Sequence, residues 1–313
     1  MSLKIFLKTH KSLHLQKCVL VLANSRAELL VDCINSVLNA HESSAWKKVL
    51  VLQVGYPDVE QVVEDYSANF DIVLKIKKQY ETTLGNINLN RIIGTSICFD
   101  LLASDVVLGI EEDTMISYDA LYFTTQMCQK FKTFKSFRGV NLGSFESNSL
   151  ENRYSYSLLR YGLHGQAGAL TRETWNHFNL RELQKDICTI GWDSKIESYL
   201  KTGFLVTPNA SRLLDRGFGG THQSTDPNSP YFANQRNSWV GSSPIPIQDF
   251  IKNDIAHSWR KDARNFKRHE SFIYRAKNNK YVYSVFKAIR KLLRKNKSFY
   301  RIVKYFKKTF KNI

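Results

Sequence analysis

The sequence has no hydrophobic run long enough to cross a membrane, because no window approaches the roughly 20 apolar residues that a spanning helix requires. Its N-terminal segment, residues 1–16, also lacks the continuous apolar stretch of a secretory signal peptide. We therefore expect any contact with a membrane to be peripheral, made by side chains that adsorb to its surface.

Cysteines are few, and none has the CxxC spacing of a metal site. Their number is odd, and three fall inside apolar runs, where buried free thiols are expected. This pattern predicts unpaired cysteines and a reducing compartment. The five cysteines are Cys18, Cys33, Cys98, Cys128 and Cys188.

Acidic residues are missing from the end of the chain. Residues 271–313 contain fourteen Lys or Arg and no Asp or Glu, so of the formal net charge of +17 only +3 belongs to the first 270 residues. Apolar side chains recur there at helical spacing opposite the basic ones, which predicts two amphipathic helices. Such helices are typical of attachment to anionic lipid, here through residues 277–311. Two alternatives are binding to nucleic acid and packing on the chain's own body, but the wide aliphatic stripe favours lipid and we expect no nucleic acid.

The first half of the chain alternates short apolar runs with helical patterns. With 313 residues and 43% hydrophobic content, the chain can bury a sizeable core. The repeated β-α-β order predicts an α/β fold with a mainly parallel sheet flanked by helices. Ligands of such sheets bind beyond the carboxyl ends of the strands. The strands are predicted at residues 18–23, 49–54, 72–76, 106–110, 139–143 and 165–170, a helix at about 90–102, and a long loop at 217–246.

Three consecutive carboxylates, Glu111, Glu112 and Asp113, follow the strand predicted at residues 106–110. Buried neighbouring carboxylates repel one another, and a divalent cation would relieve the repulsion, since Mg²⁺ and Mn²⁺ prefer hard oxygen ligands. The alternative is a solvated acidic turn. Asp119 is expected to cap the next helix, at residues 120–130, which would hold the turn between two rigid elements.

Short motifs follow one another along residues 18–222. They are VLVLANSR (19–26), VLGIEED (107–113) followed by Tyr118-Asp119, LTRETW (170–175), Trp192-Asp193, TPNASR (207–212) and Thr221-His222. In this order the motifs resemble those of the N-acetylglucosaminyltransferase I family, which are β-1,2-N-acetylglucosaminyltransferases that act on mannose. Each motif alone is weak, but the ordered set is fairly specific. The resemblance implies a GT-A fold.

The resemblance also implies roles for the residues that would bind the donor. Arg26 would contact the nucleotide or its phosphates, and Asp113 would ligate Mn²⁺ or Mg²⁺. Glu112 would contact the ribose or sugar of the donor, and Glu111 would face the sugar or the acceptor. For Arg26, the alternative is an exposed arginine that happens to follow a strand.

Other residues would serve the acceptor side. Asp193 would be the general base that deprotonates the acceptor hydroxyl, which gives inversion at the anomeric carbon; a helix N-cap is its alternative role. Trp192 would wall the site or belong to the core. His222 is a candidate additional metal ligand and His164 a candidate acceptor contact, although histidines in glycine-rich loops are more often exposed.

The chain departs from the family at two positions that concern the nucleotide base of the donor and at one that concerns the catalytic general base. The family has an Asp near the end of its second strand, where this chain has Gln53-Val54-Gly55, and a His with no clear counterpart around residues 88–91. Trp192-Asp193 is followed by Ser194 rather than a second Asp. A related transferase with another nucleotide-sugar or retaining stereochemistry therefore stays open, as does a non-catalytic lipid- or nucleic-acid-binding protein on a degenerate GT-A fold.

Together these features predict a metal-dependent, inverting glycosyltransferase that moves a sugar, best GlcNAc, from a UDP-sugar to a saccharide acceptor. The catalytic domain is expected at residues 1–256, with a donor half at about 17–130 and an acceptor half at about 131–256, and the membrane-association tail at 257–313. Without a spanning segment, we expect a bacterial, cytoplasmic enzyme, peripheral on the inner membrane, that extends a lipid-linked saccharide or a surface polysaccharide.

Overall fold

The computed structural model describes residues 15–144, 150, 153–159, 166–218, 233 and 236–253. All of them belong to one unit, Met1–Asp254. The basic tail predicted at 257–313 lies outside the described residues, and the predicted domain limits and the two halves stay predictions. Within the described ranges, no helix is long and apolar enough to cross a membrane.

Strands and helices alternate along the described part of the chain. The strands are β1 (Lys17–Ala23), β2 (Lys47–Gln53), β3 (Ile72–Ile76), β4 (Val106–Glu111), β5 (Thr114–Ile116), β6 (Phe137–Asn141), β7 (Ser155–Leu159), β8 (Ala167–Thr171), β9 (Phe204–Pro208), β10 (Leu213–Asp215) and β11 (Ile251–Lys252). The helices are α1 (Ala27–Leu38), α2 (Pro57–Tyr66), α3 (Thr83–Ser96), α4 (Ala120–Phe131), α5 (Arg172–Asn176), α6 (Leu180–Gln184) and α7 (Trp192–Leu200).

The predicted α/β fold is confirmed. Nine of these strands form a mixed, mainly parallel sheet in the order β11-β7-β9-β6-β8-β4-β1-β2-β3, while β10 and β5 pair antiparallel beside it. Helix α3 packs on β1, β2 and β4, and α4 packs on β6. All seven residues of β1 and the first five of β4 are buried, as expected of central strands covered on both faces. The five cysteines are free, as predicted, and four of them are buried, one more than the apolar runs predicted.

The order in which strands are added to the sheet reverses at β1. The chain first adds β2 and β3 on one side of β1, and then returns to place β4, parallel, on the other side. A crevice at the carboxyl ends of two such strands is where open α/β sheets bind ligands. The end of β1 and the acidic triplet after β4 therefore share the position that this fold gives to a ligand.

Helix α3 begins earlier than predicted, at Thr83 rather than near residue 90, and passes into a π-helical turn at Ile97–Leu101. The hydrophobic period missed its first two turns because α3 buries polar residues there. Asn86, Asn88 and Asn90 are each at most 5% exposed. Their side-chain N–H groups donate to neighbouring loops and strands, which satisfies these buried donors.

A buried ion pair joins the start of α4 to the chain just before β10. Arg212 and Asp119 are 0% and 1% exposed, and the Nη2 atom of Arg212 lies 2.8 Å from Oδ2 of Asp119. The other oxygen of Asp119 accepts from the hydroxyl of Ser117 at 2.7 Å. Asp119 does occupy the N-cap position of α4, but its side chain makes no capping bond. The predicted cap is thus wrong in its chemistry, because the buried arginine takes the carboxylate.

We expect Asp119→Asn to lower the free energy of unfolding by about 3–5 kcal/mol, because it leaves Arg212 buried as an uncompensated cation. Urea unfolding of the full chain measures the loss. Glu197→Gln is the matched control: it removes one carboxylate from an exposed pair with Lys201 on α7, for which about 0.5 kcal/mol or less is expected. Equal losses in the two variants would contradict a structural role for the buried pair.

Candidate active site

Glu112 ties the end of β1 to the end of β4. Its carboxylate accepts from the backbone N–H groups of Asn24 and Ser25, and from the Nε–H of Arg26 at 3.2 Å. Glu112 is 3% exposed, so these bonds offset the loss of water around its charge. Both oxygens of Glu112 thus hold the turn between β1 and α1, and the contact with a donor that the sequence predicts for it remains a proposal.

Arg26 and Asp113 form an ion pair beside Glu112 in the crevice. The Nη2 atom of Arg26 lies 2.6 Å from Oδ2 of Asp113, and the Arg26 side chain is 38% exposed. Partial burial alone would lower the pKa of Arg26, but attraction to Asp113 and Glu112 raises it above its usual value. Asp113 is 7% exposed, and its Oδ1 atom is buried without a hydrogen-bond partner among the described residues. A fixed cation and a buried acceptor with spare capacity therefore face each other here.

A carboxylate that sequence analysis missed, Asp215, lies beside Asp113. In the β10–β5 pair, Asp215 stands opposite Thr114, and the N–H of Arg216 donates to the carbonyl of Asp113 at 2.8 Å. A methyl group at Gly217 would overlap Oδ2 of Asp113 and lie 3.0 Å from Oδ1 of Asp215. The two carboxylates thus converge on the small space that Gly217 leaves.

Arg91 of α3 supports the other side of the triplet. It is 2% exposed, and its Nη2 atom lies 3.4 Å from Oε1 of Glu111. Its guanidinium also stacks 4.8 Å from the ring centroid of Trp192, a cation–π distance. Arg91 fits only because β4 has a glycine beneath it, since a methyl group at Gly109 would overlap its Nη1 atom. Sequence analysis found no partner for the triplet in this helix.

Asp193 lies within electrostatic range of Glu111. Burial raises the pKa of Glu111 to about 7; Arg91 lowers it, while Asp113 and Asp193 raise it. Asp193 occupies the first turn of α7, whose N-cap is Gly191, so it is not the cap that was its alternative role. Asp193 directly follows Trp192, whose ring stacks on Arg91, and its charge raises the pKa of Glu111.

The start of α7 is held by one side chain of α3. Asn88 accepts from the N–H of Trp192 at 2.9 Å and donates to the carbonyls of Ile187 and Ile190 at 2.6 and 2.9 Å. Trp192 itself is 7% exposed and borders the crevice through its contact with Arg91. The two histidines proposed from sequence, His164 and His222, lie outside the described residues.

Gln53 lies where the resembled family has an Asp near the nucleotide base, and its side chain is buried here. Gln53 is 4% exposed; its amide donates to the carbonyl of Ile76 and accepts from the amide of Asn90, both at 3.1 Å. The amides of Gln53 and Asn90 are uncharged, so the end of β2 differs in chemistry from the carboxylates at the end of β4.

Asp113 meets the requirements of a ligand for a divalent cation. Its orphaned Oδ1 is a hard donor, as Mg²⁺ and Mn²⁺ prefer, and Gly217 leaves space beside Oδ2 that any larger residue would fill. Among the described residues, no three His, Cys, Asp or Glu side chains are grouped so as to hold a metal. Mg²⁺ commonly binds through one or two carboxylates, with the phosphates of a substrate completing its shell, and such a site needs no third side chain.

The chain is similar to three solved structures of glycosyltransferases. The mannosyltransferase PcManGT from Pyrobaculum calidifontis, in complex with GDP-Man and Mn²⁺, has 10% identity and a TM-score of 0.47 over 70% of this chain and 59% of that one. TarS of S. aureus has 14% identity and a TM-score of 0.44 over 63% and 36%. TarS 1–349 in complex with UDP-GlcNAc has 12% identity and a TM-score of 0.42 over 63% and 58%.

These likenesses say nothing about activity at such identities and TM-scores. The chain spans 59% of the mannosyltransferase and 36% of full TarS, and the N-acetylglucosaminyltransferase I family is not identified among them. No protein-family model and no curated protein matches the chain. The contacts of the crevice itself therefore have to support any function.

We expect Gly109→Ala to lower the free energy of unfolding by about 1–3 kcal/mol, as overpacking of a core does, because its methyl group displaces Arg91. Chemical denaturation measures this loss. In an Arg91→Met background the same substitution should cost less than half as much, since the overlapping guanidinium is gone. An equal cost in both backgrounds would place the clash elsewhere.

Proposed function

We propose that the chain is a metal-dependent glycosyltransferase that moves a sugar from a nucleotide-diphosphate donor to a saccharide acceptor. The observation that carries the proposal is the crevice between β1 and β4, where the cation Arg26 and the orphaned oxygen of Asp113 lie side by side. A diphosphate with a divalent ion offers the complementary charges, anionic oxygens for Arg26 and a hard cation for Asp113.

The donor is bound, in this proposal, at the ends of β1 and β4. Arg26 binds phosphate oxygens, and its exposed fraction of 38% leaves it accessible. Asp113 holds Mn²⁺ or Mg²⁺, which when bound neutralises the charge that builds on the leaving diphosphate. Glu112 keeps Arg26 in place, and its predicted contact with the ribose or sugar of the donor remains part of the proposal. Of UDP-sugars, UDP-GlcNAc is the best candidate, on the strength of the sequence resemblance.

The acceptor is activated from the side of α7. Asp193 accepts the proton of the acceptor hydroxyl as that oxygen bonds to the anomeric carbon and the bond to the diphosphate oxygen breaks, so configuration inverts. Trp192 walls the crevice, and the charge of Asp193 acts on Glu111, whose pKa it raises. Asn88 fixes the start of α7 by three bonds to the backbone, which keeps Asp193 oriented for proton transfer.

The acceptor's attachment is proposed from sequence. The basic tail, residues 277–311, would bind the anionic surface of a membrane and keep the enzyme near a lipid-linked saccharide, as in surface polysaccharide synthesis. The predicted residues His164 and His222 would serve the acceptor and the metal. These parts of the proposal rest on residues outside the described ranges.

Calorimetric titration with UDP, GDP and CMP, with and without Mn²⁺, tests the donor site. We expect UDP to bind tightly only with Mn²⁺, and Asp113→Asn to abolish the effect of the metal, because the substitution removes its carboxylate. Asp65→Asn, on the exposed side of α2, is the matched control and should bind as the unsubstituted chain does. Absence of binding for every nucleotide in both conditions would remove the transferase proposal and leave only the fold.

Asp193→Asn should lower the turnover number for UDP-sugar consumption with acceptor about 10²- to 10⁴-fold, the usual contribution of a general base. The affinity for UDP with Mn²⁺ should stay within about twofold, because Asp193 belongs to the acceptor side. Asp186→Asn, an exposed acid shortly before α7, controls for charge. Unchanged turnover in Asp193→Asn would move the role of base to another carboxylate, with Glu111 as the next candidate.

A further inference from the structure

We propose that Arg91 of α3 is a positioning residue for the transfer, and that its buried positive charge holds Trp192 and Asp193 of α7 beside Glu111. This inference rests on the proposed function, in which Asp193 deprotonates the acceptor. The residues concerned come from three separate parts of the chain, namely α3, the end of β4 and the start of α7. Something must therefore fix α7 relative to β4 if Asp193 is to act at the crevice.

The guanidinium of Arg91 touches both β4 and α7. Its Nη2 atom lies 3.4 Å from Oε1 of Glu111, the last residue of β4. Its central carbon lies 4.8 Å from the ring centroid of Trp192, the first residue of α7. A cation–π contact is stronger when its partners are desolvated, and Arg91 and Trp192 are 2% and 7% exposed. One side chain of α3 thus joins the end of β4 to the start of α7.

The charge of Arg91 also acts on Asp193. Burial lowers the pKa of Arg91 below its usual value, while attraction to Glu111 and to Asp193 acts in the opposite direction. Two carboxylates from different elements therefore share the field of one cation. Because like charges oppose each other and a cation between them offsets the repulsion, Arg91 favours an arrangement in which Glu111 and Asp193 lie on the same crevice.

Arg91 is itself held in place. A methyl group at Gly109 of β4 would overlap its Nη1 atom, so the guanidinium rests directly on the backbone of the strand. About one turn earlier on α3, Asn88 accepts from the N–H of Trp192 at 2.9 Å. Two side chains of one helix thus hold the start of α7, Asn88 through the backbone and Arg91 through the ring and the charge. Contacts that are fixed in this way keep a reacting group oriented.

The rival account is that Arg91 only stabilises the fold as a buried ion pair. Arg138 offers a matched control, because it is another buried arginine that stacks on an aromatic ring of α7. It is 7% exposed, it donates to neutral acceptors, and its central carbon lies 4.5 Å from the ring centroid of Tyr199. Tyr199 belongs to the last turn of α7, so Arg138→Met disturbs the same helix away from Asp193.

Hydrogen–deuterium exchange of the full chain tests the positioning without any reaction. We expect Arg91→Met to speed exchange in the first turn of α7, residues 192–195, by about 3- to 30-fold, as loss of a buried cation–π contact would. Arg138→Met should leave exchange in this turn unchanged. Unchanged exchange of residues 192–195 in Arg91→Met would overturn the inference, whatever reaction the chain catalyses.

Turnover of UDP-GlcNAc with a mannoside, the acceptor class of the resembled family, tests the consequence for the reaction. Arg91→Met should lower the turnover number about 10- to 100-fold and keep the affinity for UDP with Mn²⁺ within about twofold, because it misplaces the base and not the donor. In the Asp193→Asn background the same substitution should cost less than about threefold, since the group that Arg91 positions is gone. An equal fold-loss in both backgrounds, or in Arg138→Met, would contradict a positioning role.

The two measurements separate this inference from the function on which it rests. If the unsubstituted chain transfers no sugar to the mannoside, the proposed function fails in that form, and exchange in the first turn of α7 still decides whether Arg91 holds it. If the chain transfers sugar and Arg91→Met does so equally fast, Arg91 is not a positioning residue. Arg91→Lys keeps the charge without the planar group, so its turnover should fall only about three- to tenfold. It takes the place of Arg91→Met in both measurements if that variant does not fold.

Discussion

The structure depends on the neutralisation of buried carboxylates at the end of β4. Glu112 and Asp113 are almost fully buried, Glu111 is 30% exposed on its side chain, and the three are consecutive, so each opposes the ionisation of the others. Two arginines from distant parts of the chain pair with these carboxylates and balance their charge. They are Arg26, which follows β1, and Arg91 of α3. The turn after β1, the course of α3 and a glycine in β4 all serve to bring these cations close.

Much of the fold follows from local sequence. Buried strands separated by helical patterns gave the parallel arrangement of β1 to β4, and the position of the acidic triplet after β4 follows from that order alone. Arg26 was found because it directly ends the first strand motif. These features depend on residues close together in the chain, so a single sequence contains enough to predict them.

What escaped prediction depends on distant contacts or on polar burial. Asp215 was missed because it belongs to none of the motifs, and only the pairing of β10 with β5 brings it next to Asp113. Arg91 and Gly109 explain each other only when α3 and β4 are packed, because the glycine leaves the space that the guanidinium fills. The start of α3 was misplaced for a related reason: its inward-facing asparagines interrupt the hydrophobic period by which helices are recognised.

Asn88 has a consequence for how the crevice would respond to heat or substitution. One amide links α3 to the N–H of Trp192, which begins α7, and to the carbonyls of Ile187 and Ile190 just before it. The position of α7 relative to α3 thus depends on these hydrogen bonds together with the stacking of Trp192 on Arg91. If the hydrogen bonds of Asn88 were lost, the start of α7 would move relative to α3, while the turn between β1 and α1 would keep its shape. In the proposed transferase, water would then replace the acceptor at the donor, so the sugar would be lost to hydrolysis before affinity for the nucleotide fell.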